Sequence, residues 1–132
     1  MPRLMLDSDI CIDVMRGRSP AIRNRLERTN QDDVAVSSIV ASELRTGVSK
    51  SAQPGPSRDA VVAFLGYVTV LDWPAEAAAL YGETRALLEA SGRSIGAMDL
   101  LIAVHALHEK ATLVTRNLSE FRRVNGLKVE SW

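Results

Sequence analysis

Short apolar segments that stop at an acidic or amide side chain recur along this chain and alternate with stretches of helical periodicity. Four of them carry the candidate ligands: LMLD ending at Asp7, SSIVASEL with Glu43, IGAMDLLIAV with Asp99, and ATLVTRNLSEF with Asn117 and Glu120. Oxygen donors at strand ends and helix starts, without an accompanying set of cysteines or histidines, are the ligands that Mg²⁺ or Mn²⁺ prefers. The pattern therefore favours a hard divalent cation over a soft metal.

The same segments predict five short β-strands separated by helices. The predicted strands are LML (4–6), VAVS (34–37), YVTVLD (67–72), ATLVT (111–115) and LKVES (127–131). Helix signals between them include the capping residues Ser8 and Ser19, the terminating Gly17, and a nearly all-apolar stretch at 97–109. SAQPGPS (51–57), with two prolines and a glycine, is predicted to be a loop. Strands that alternate with helices imply right-handed crossovers, and hence an α/β fold with a parallel sheet covered on both faces.

The length and the charge of the chain limit its organisation and its partners. A chain of 132 residues with 46% hydrophobic and 24% charged residues fits a single globular domain, residues 1–132. Sixteen basic and sixteen acidic residues cancel, so the global charge gives no argument for a polyanionic partner. Residues 16–28 hold five arginines and one glutamate, a net charge of +4. This basic segment fits a solvated helix face or an RNA-contacting surface.

Cysteine usage and hydropathy indicate the compartment. Cys11 is the only cysteine, so no disulfide can form within the chain and a reducing compartment is expected. The first ten residues contain no long apolar stretch, and the longest apolar run (60–71) is shorter than the ~20 residues that a membrane helix needs. We therefore expect a cytoplasmic protein without a membrane partner.

The predicted topology gathers the acids at one edge of the sheet. In an open parallel sheet the ligand lies beyond the carboxyl ends of the strands, where Asp7 and Asn117 are predicted to lie. Glu43 and Asp99 then approach from the N-terminal halves of helices. Carboxylates held around one point repel each other until a cation relieves the repulsion. Phosphodiester cleavage needs such a cation to position water and to balance negative charge.

Each acid also has a simpler explanation. Asp7 is placed to cap a helix, Glu43 to lie on the surface, and Asp99 to face the positive end of its helix dipole. Asp7 and Asp99 are the hardest to explain in this way, because both adjoin segments predicted to be buried, where a lone charge is costly. The weaker candidates are Asp9 at a helix dipole, Asp13 on a solvated face, Asp72 as a cap, His105 and His108 in packing or surface roles, and Trp73 and Trp132 as core filler.

The motifs together resemble a known family. LDSDICIDVMRG, SSIVASELRTGV, IGAMDLLIAVHAL and LVTRNLSEFRRVNGLKVESW look like the successive motifs of PIN-domain ribonucleases, specifically VapC-type toxins of VapBC toxin–antitoxin pairs. The resemblance spans essentially the whole chain. It implies a three-layer fold with a five-stranded parallel sheet, an endoribonuclease activity that depends on Mg²⁺ or Mn²⁺, a small cognate antitoxin and a homodimer.

The resemblance also assigns roles by position. Asp7, Glu43 and Asp99 match the three metal-binding acids, and Asn117 stands where many members have a fourth acid. An amide is a weaker ligand than a carboxylate, which puts a second metal in doubt, while Glu120 lies on the same side of a helical turn and can supply the charge. Thr115 matches the family's hydroxyl residue, and Asp9 stands where asparagine is common. The hypothesis is that Asp7 and Asp99 bind the principal ion, Glu43 orients water or a second ion, and Asn117 with Glu120 completes the outer shell.

Two other functions fit part of the pattern. A receiver-type phosphoacceptor domain also gathers acids after its first strand, an acid after its third (Asp72) and a threonine after its fourth (Thr115). It needs a lysine at the end of strand five and a further helix, whereas Lys128 lies only four residues from the terminus of the given sequence. A haloacid-dehalogenase-like phosphatase is suggested by Asp7 and Asp9 but lacks a later acidic pair. A catalytically silent binding module of the same fold is the remaining alternative.

Overall fold

The computed structural model describes residues 2–132 and contains a five-stranded sheet in the order β3-β2-β1-β4-β5. All four strand pairs are parallel. The strands are β1 Leu4–Leu6, β2 Val34–Ser37, β3 Thr69–Leu71, β4 Thr112–Val114 and β5 Val129–Glu130. The predicted α/β fold with five parallel strands is confirmed. The strand order differs from the 2-1-3-4-5 order of receiver-type domains, which removes that alternative.

Seven helices cover the sheet. They are α1 Ser8–Arg16, α2 Pro20–Arg28, α3 Ser38–Ser49, α4 Pro54–Tyr67, α5 Ala78–Ala90, α6 Ala97–His108 and α7 Leu118–Phe121, with 3₁₀ turns at Gln31–Asp33 and Ala75–Ala77. Helices α1 to α4 pack against one another, and α5 packs against α6. Right-handed crossovers from β1 through β3 place α1 to α4 on one face, and the return from β3 to β4 places α5 and α6 on the other.

Local signals in the sequence fix the helix ends. Ser19 accepts a hydrogen bond from the backbone N–H of Ile22 at the start of α2, and Ser37 caps α3 by accepting from Ile39. Gly17 ends α1 in the left-handed region at φ +62°, which glycine adopts at little cost. Caps and terminators recognised in the sequence therefore mark the helix boundaries that surround the central strands.

The core lies between the three central strands and the helices on either face. All four residues of β2 are buried, and so are Met5 and Leu6 of β1 and Leu113 and Val114 of β4. Helix α6 is buried along most of its length, which explains its nearly uninterrupted apolar sequence. Phe121 of α7 is also fully buried. Charged side chains at the ends of these strands therefore adjoin a dry interior.

Two boundaries predicted from the sequence are wrong. The segment 51–57 is not a loop throughout, because α4 begins at Pro54. Proline lacks only an N–H that the first helical turn leaves unpaired, so Pro54 and Pro56 are tolerated there. The strand predicted at 67–72 is reduced to Thr69–Leu71, since Tyr67 is still the last residue of α4. Across residues 2–132 the helices are too short or too polar to cross a lipid bilayer.

Candidate active site

Three polar side chains meet at the carboxyl edge of the central strands. Asp7 follows β1, Ser37 ends β2 and Thr115 follows β4. The backbone N–H of Asp7 donates to the carbonyl of Val114 at 2.9 Å, which continues the pairing of β1 with β4 to the end of the strand. Parallel register therefore brings together residues that are far apart in sequence, as the edge argument predicts.

Asp7 is both a helix cap and a buried acid. Its Oδ1 accepts a hydrogen bond from the Ser8 N–H at 2.8 Å, and its Oδ2 accepts one from the Thr115 hydroxyl at 2.7 Å. The side chain is only 6% exposed. Burial raises the pKa of Asp7 to about 6, and the hydrogen bond from Thr115 opposes this rise. Asp7 can therefore cap α1 and belong to the site at the same time.

Asp99 lies in the first turn of α6, next to Glu120 of α7. Burial raises the pKa of Asp99 to about 6, and the Glu120 carboxylate is the next largest contribution. The carboxylates of Asp7 and Glu43 raise it further. The predicted acids therefore share one electrostatic neighbourhood, which we call the acidic cluster: Asp7, Glu43, Asp99 and Glu120.

Glu43 contributes an oxygen without a partner. Among the residues that the structure describes, Glu43 Oε1 is buried and receives no hydrogen bond. A buried carboxylate oxygen in this state is costly unless a cation or a donor compensates it. Within residues 2–132, however, no three acidic, histidine or cysteine side chains lie close enough together to coordinate one ion. The acidic cluster is therefore wider than a coordination sphere, and its ligand set stays a prediction.

Asn117 and Glu120 form a pair. The Asn117 side-chain amide donates to Glu120 Oε2 at 2.5 Å, and Glu120 Oε1 accepts from the Gly96 N–H at 3.3 Å. Two donors thus hold the Glu120 carboxylate beside the start of α6. In the structure the Asn117 side chain contacts Glu120, and the expectation that Glu120 supplies the charge missing at position 117 stays a prediction.

Arg116 neutralises two acids of α1. Asp9 Oδ1 accepts from the Ile10 N–H at 2.7 Å and Oδ2 from the Arg116 N–H at 3.0 Å, so both of its oxygens are occupied. Asp13 is 4% exposed and lies 3.1 Å from Arg116 Nη1. The expectation of a solvated Asp13 is wrong, because α1 turns this side chain toward the segment after β4. No periodicity argument identifies a buried acid whose partner comes from the other half of the chain.

Ser37, Trp73 and His105 were not recognised as polar contacts. His105 Nδ1 lies 2.7 Å from Ser37 Oγ, and both side chains are buried. The Trp73 N–H donates to Ser38 Oγ at 3.0 Å, and its indole Nε1–H donates to the Leu101 carbonyl at 2.9 Å. Trp73 packs against the core, as expected, and also makes these two hydrogen bonds, which the sequence interpretation missed. The available signal is chemical, since a partly buried indole N–H normally finds an acceptor.

The basic segment does not line the acidic cluster. Arg25 Nη2 donates to Glu130 Oε1 at 2.8 Å, and its guanidinium lies 4.9 Å from the centre of the Trp132 ring, so Trp132 is also more than filler. Arg25 and Arg28 line a cavity of about 360 Å³ with Arg3 and Thr112, residues at the amino ends of β1 and β4. That is the opposite edge of the sheet. Arg25 and Arg28 therefore lie away from the acidic cluster.

A second concavity lies between α1, α2 and α4. It has a volume of about 340 Å³ and is mostly apolar. Its lining residues are Val14, Met15, Arg23, Leu26, Glu27, Ala60, Ala63, Phe64 and Tyr67. We call it the helical groove.

Known proteins have similar sequences and the same fold. Residues 4–127 match the PIN domain. Ribonuclease VapC2 of Rickettsia felis is 41% identical over 129 residues, which cover 97% of this chain and 96% of that protein. The tRNA(fMet)-specific endonuclease VapC of Shigella flexneri is 37% identical over 132 residues, covering 100% of this chain and 99% of that protein. The crystal structure of DNA-bound VapBC from Salmonella typhimurium contains a chain that superposes with a TM-score of 0.94 at 36% identity, covering 100% of this chain and 99% of that one.

Proposed function

The chain belongs to the PIN-domain family as a VapC-type ribonuclease, the toxin of a toxin–antitoxin pair, and we propose that Asp7, Glu43 and Asp99 hold its divalent cation. The observation that carries this proposal is the unpartnered, buried Glu43 Oε1 within the acidic cluster. Two of its neighbours are carboxyls whose pKa burial raises to about 6, as expected of acids that lack a compensating charge. Carboxylate oxygens alone favour Mg²⁺ or Mn²⁺.

The chain's own residues prepare the site for hydrolysis. When bound, the ion supplies positive charge next to the scissile phosphate and makes water a better nucleophile. Asp7 is fixed by the Ser8 N–H and the Thr115 hydroxyl, so its free lone pairs keep one direction. Glu43 Oε1, which receives no hydrogen bond from residues 2–132, is free to accept one from the attacking water. The water oxygen bonds to phosphorus, the bond to the leaving ribose oxygen breaks, and no side chain serves as nucleophile.

Glu120 has a supporting role in this proposal. It lies beside Asp99, and the Asn117 amide and the Gly96 N–H fix both of its oxygens. A carboxylate beside a second carboxylate binds a proton more tightly than an isolated carboxylate does. We therefore assign Glu120 and Asn117 to the outer shell, where Glu120 adds the charge that Asn117 cannot carry.

A pair of conservative substitutions tests the proposal. Asp99→Asn should abolish RNA cleavage and lower Mn²⁺ affinity in calorimetry, while circular dichroism stays unchanged, because the side chain keeps its size and loses its charge. Asp72→Asn is the matched control, since Asp72 is an exposed aspartate that follows β3 and lies outside the acidic cluster. Cleavage by Asp99→Asn at the wild-type rate, or cleavage that persists in EDTA, would contradict the assignment.

We propose transfer RNA as the substrate class. The support is the relative from Shigella flexneri, whose name specifies tRNA(fMet) and which is 37% identical over the full length of this chain. Incubating the purified chain with separate pools of transfer, ribosomal and messenger RNA should give discrete fragments from the first pool alone. Equal degradation of all three pools would refute this choice. The site of action that we propose is the cytoplasm, where these RNAs are found.

We propose that the cognate antitoxin covers the helical groove with an apolar helix. The support is the apolar lining of the groove and its charged rim of Arg23 and Glu27, which suits an amphipathic segment. Ala63→Glu places a charge on the exposed side of α4 and should weaken antitoxin binding without reducing cleavage by the free toxin. Co-purification of Ala63→Glu with the neighbouring gene product at wild-type yield would count against this surface.

We further propose a homodimer that involves α5. Only Leu88 of this helix is buried, while Leu87 is 56% exposed and Leu80 and Tyr81 are partly buried. An apolar helix face of this kind is typical of protein interfaces. Analytical ultracentrifugation should show a dimer for the wild type and a monomer for Leu87→Glu. An unchanged sedimentation coefficient would exclude this face.

A further inference from the structure

We propose that the Ser37–His105 hydrogen bond is a brace that sets the distance between the helix carrying Glu43 and the helix carrying Asp99. Ser37 and His105 are positioning residues in this proposal, which rests on the cation site proposed above. Neither side chain belongs to the acidic cluster, so the brace acts through the two helices.

The contacts of Ser37 link it to both helices. Ser37 ends β2 and caps α3, the helix of Glu43, by accepting a hydrogen bond from the Ile39 N–H at 3.1 Å. The same hydroxyl lies 2.7 Å from His105 Nδ1 on α6, the helix of Asp99. Ser37 is 1% exposed and His105 0%. One buried hydroxyl thus connects the start of α3 to the last turn of α6.

The Ser37 hydroxyl can pair with His105 in either tautomer of the ring. Besides the lone pair that accepts the Ile39 N–H, Ser37 Oγ has a proton and a second lone pair available for His105 Nδ1. Burial lowers the pKa of His105, which favours the neutral imidazole. Among the described residues Nε2 has no hydrogen-bond partner, and Glu109 Oε1 lies 3.8 Å away. Among the described residues, the imidazole ring of His105 therefore hydrogen-bonds to Ser37 alone.

An unpaired nitrogen argues against a purely packing role for His105. A buried polar group without a partner lowers stability, and an apolar side chain of similar size fills the same volume without that cost. An apolar side chain at position 105 should therefore give a more stable fold than this histidine does. Of the polar contacts that an apolar side chain cannot reproduce, the bond to Ser37 is the one that reaches another element, because Glu109 lies one turn away on the same stretch of chain.

Trp73 makes a second link between the same helices. Its backbone N–H donates to the hydroxyl of Ser38, the first residue of α3, and its indole N–H donates to the Leu101 carbonyl on α6. Leu101 lies between Asp99 and His105 along that helix. Two links at the start of α3 therefore restrict its movement relative to α6, and α3 and α6 are in direct contact as well.

Glu43 depends on this restriction more than Asp7 and Glu120 do. Asp7 and Glu120 are each held by two hydrogen bonds, whereas Glu43 Oε1 has none among the described residues. The position of Glu43 is therefore set by α3 itself. Removing residues that hold metal ligands in their orientation typically lowers metal affinity by roughly 10- to 100-fold.

Mn²⁺ affinity measured by calorimetry on the full chain tests the brace. We expect His105→Leu and Ser37→Ala each to weaken Mn²⁺ binding by roughly tenfold or more. The double variant should bind no more weakly than the weaker single variant, because both changes remove the same bond. His105→Asn keeps a polar atom near the position of Nδ1 and should recover part of the lost affinity. Leu26→Ala, a core change on α2, is the control for stability, because it should lower Tm and leave Mn²⁺ affinity unchanged.

The outcomes separate the brace from the cation site. If Asp99→Asn loses the Mn²⁺ site while both brace variants bind within twofold of wild type, the brace is overturned and the proposed function stands. A loss in the brace variants that Leu26→Ala matches, or additive losses in the double variant, also overturns it. A wild type without a saturable Mn²⁺ site overturns both proposals. Should His105→Leu fail to fold, Ser37→Ala decides the question.

Discussion

Replacing Asp7 by asparagine should stabilise the protein in EDTA at neutral pH and remove its response to Mg²⁺. The hydrogen bonds of Asp7 permit this change. The asparagine oxygen can still accept from the Ser8 N–H, and its amide can donate to Thr115 Oγ1, which now accepts instead of donating. The Thr115 proton is then free to turn to Asp9 Oδ2, which lies 3.5 Å away. The variant therefore loses a buried charge without losing its contacts.

The magnitude follows from the pKa of Asp7. Burial raises this pKa from 3.8 to about 6, and the difference of about 2 units corresponds to about 3 kcal/mol. An acid whose folded-state pKa lies above its unfolded-state value binds its proton more tightly in the folded state. Its contribution to stability is therefore complete below pH 3.8 and is lost as the pH rises through about 6. Asparagine does not titrate, so it avoids that loss.

Thermal unfolding of both proteins in EDTA between pH 4.5 and 8 measures the effect. The difference between the two Tm curves reports the Asp7 carboxyl together with its effect on Asp99, whose pKa the Asp7 charge raises. Asp7→Asn should gain on the wild type as the pH rises and exceed it at pH 7.5 by roughly 10 °C, the equivalent of about 3 kcal/mol for a domain of this size. Adding Mg²⁺ should raise the Tm of the wild type alone. A Tm difference that is constant with pH, or a variant that is less stable at pH 7.5, would refute the reasoning.

Three further predictions concern an ion pair, two glycines and the pH dependence of RNA cleavage. Arg116→Ala leaves the buried Asp13 without its cation and should lower the free energy of unfolding in urea by about 1–3 kcal/mol; an unchanged midpoint would show that water replaces the guanidinium. Gly47→Ala should stabilise by about 1 kcal/mol, because Gly47 lies inside α3 with open space around an added Cβ. Gly17→Ala should instead destabilise by about 1 kcal/mol because of its φ of +62°; equal Tm shifts for the two alanine variants would contradict the backbone argument. At subsaturating Mn²⁺, RNA cleavage should rise as the pH passes through about 6, the pKa to which burial raises Asp7 and Asp99, since protons compete with the ion for these carboxylates; a flat profile would argue against both as ligands.

The sequence predicts the central strands and their terminal acids because both depend on short segments. Leu4–Leu6 is a run of apolar residues that ends at Asp7, and parallel register then fixes where Asp7 lies relative to β4. The proximity of Glu120 to Asp99 agrees with the expected position of Glu120, and the roles of Glu120 and Asn117 stay predictions. These inferences need only local pattern and the geometry of a parallel sheet.

Contacts between segments that are far apart in the sequence could not be predicted from local patterns. The pairing of Asp13 with Arg116 and of Ser37 with His105 depends on how α1 and α6 are rotated about their axes. Such rotations are decided by the packing of the whole core, which no periodicity reveals. The start of α4 at Pro54 was missed for another reason, because prolines mark a loop interior and a first helical turn equally well.

The central position of β1 determines when this enzyme acquires its activity during synthesis. β1 emerges from the ribosome first, yet one of its two neighbours in the sheet is β4, which begins at Thr112. Asp99, Thr115 and Glu120 are all translated long after β1. A nascent chain that still lacks β4 offers Asp7 no neighbouring strand on that side and holds only part of the proposed set of acids. On the proposed cation site, a growing toxin should therefore be unable to cut RNA beside the ribosome that is making it until β4 and α7 have been made.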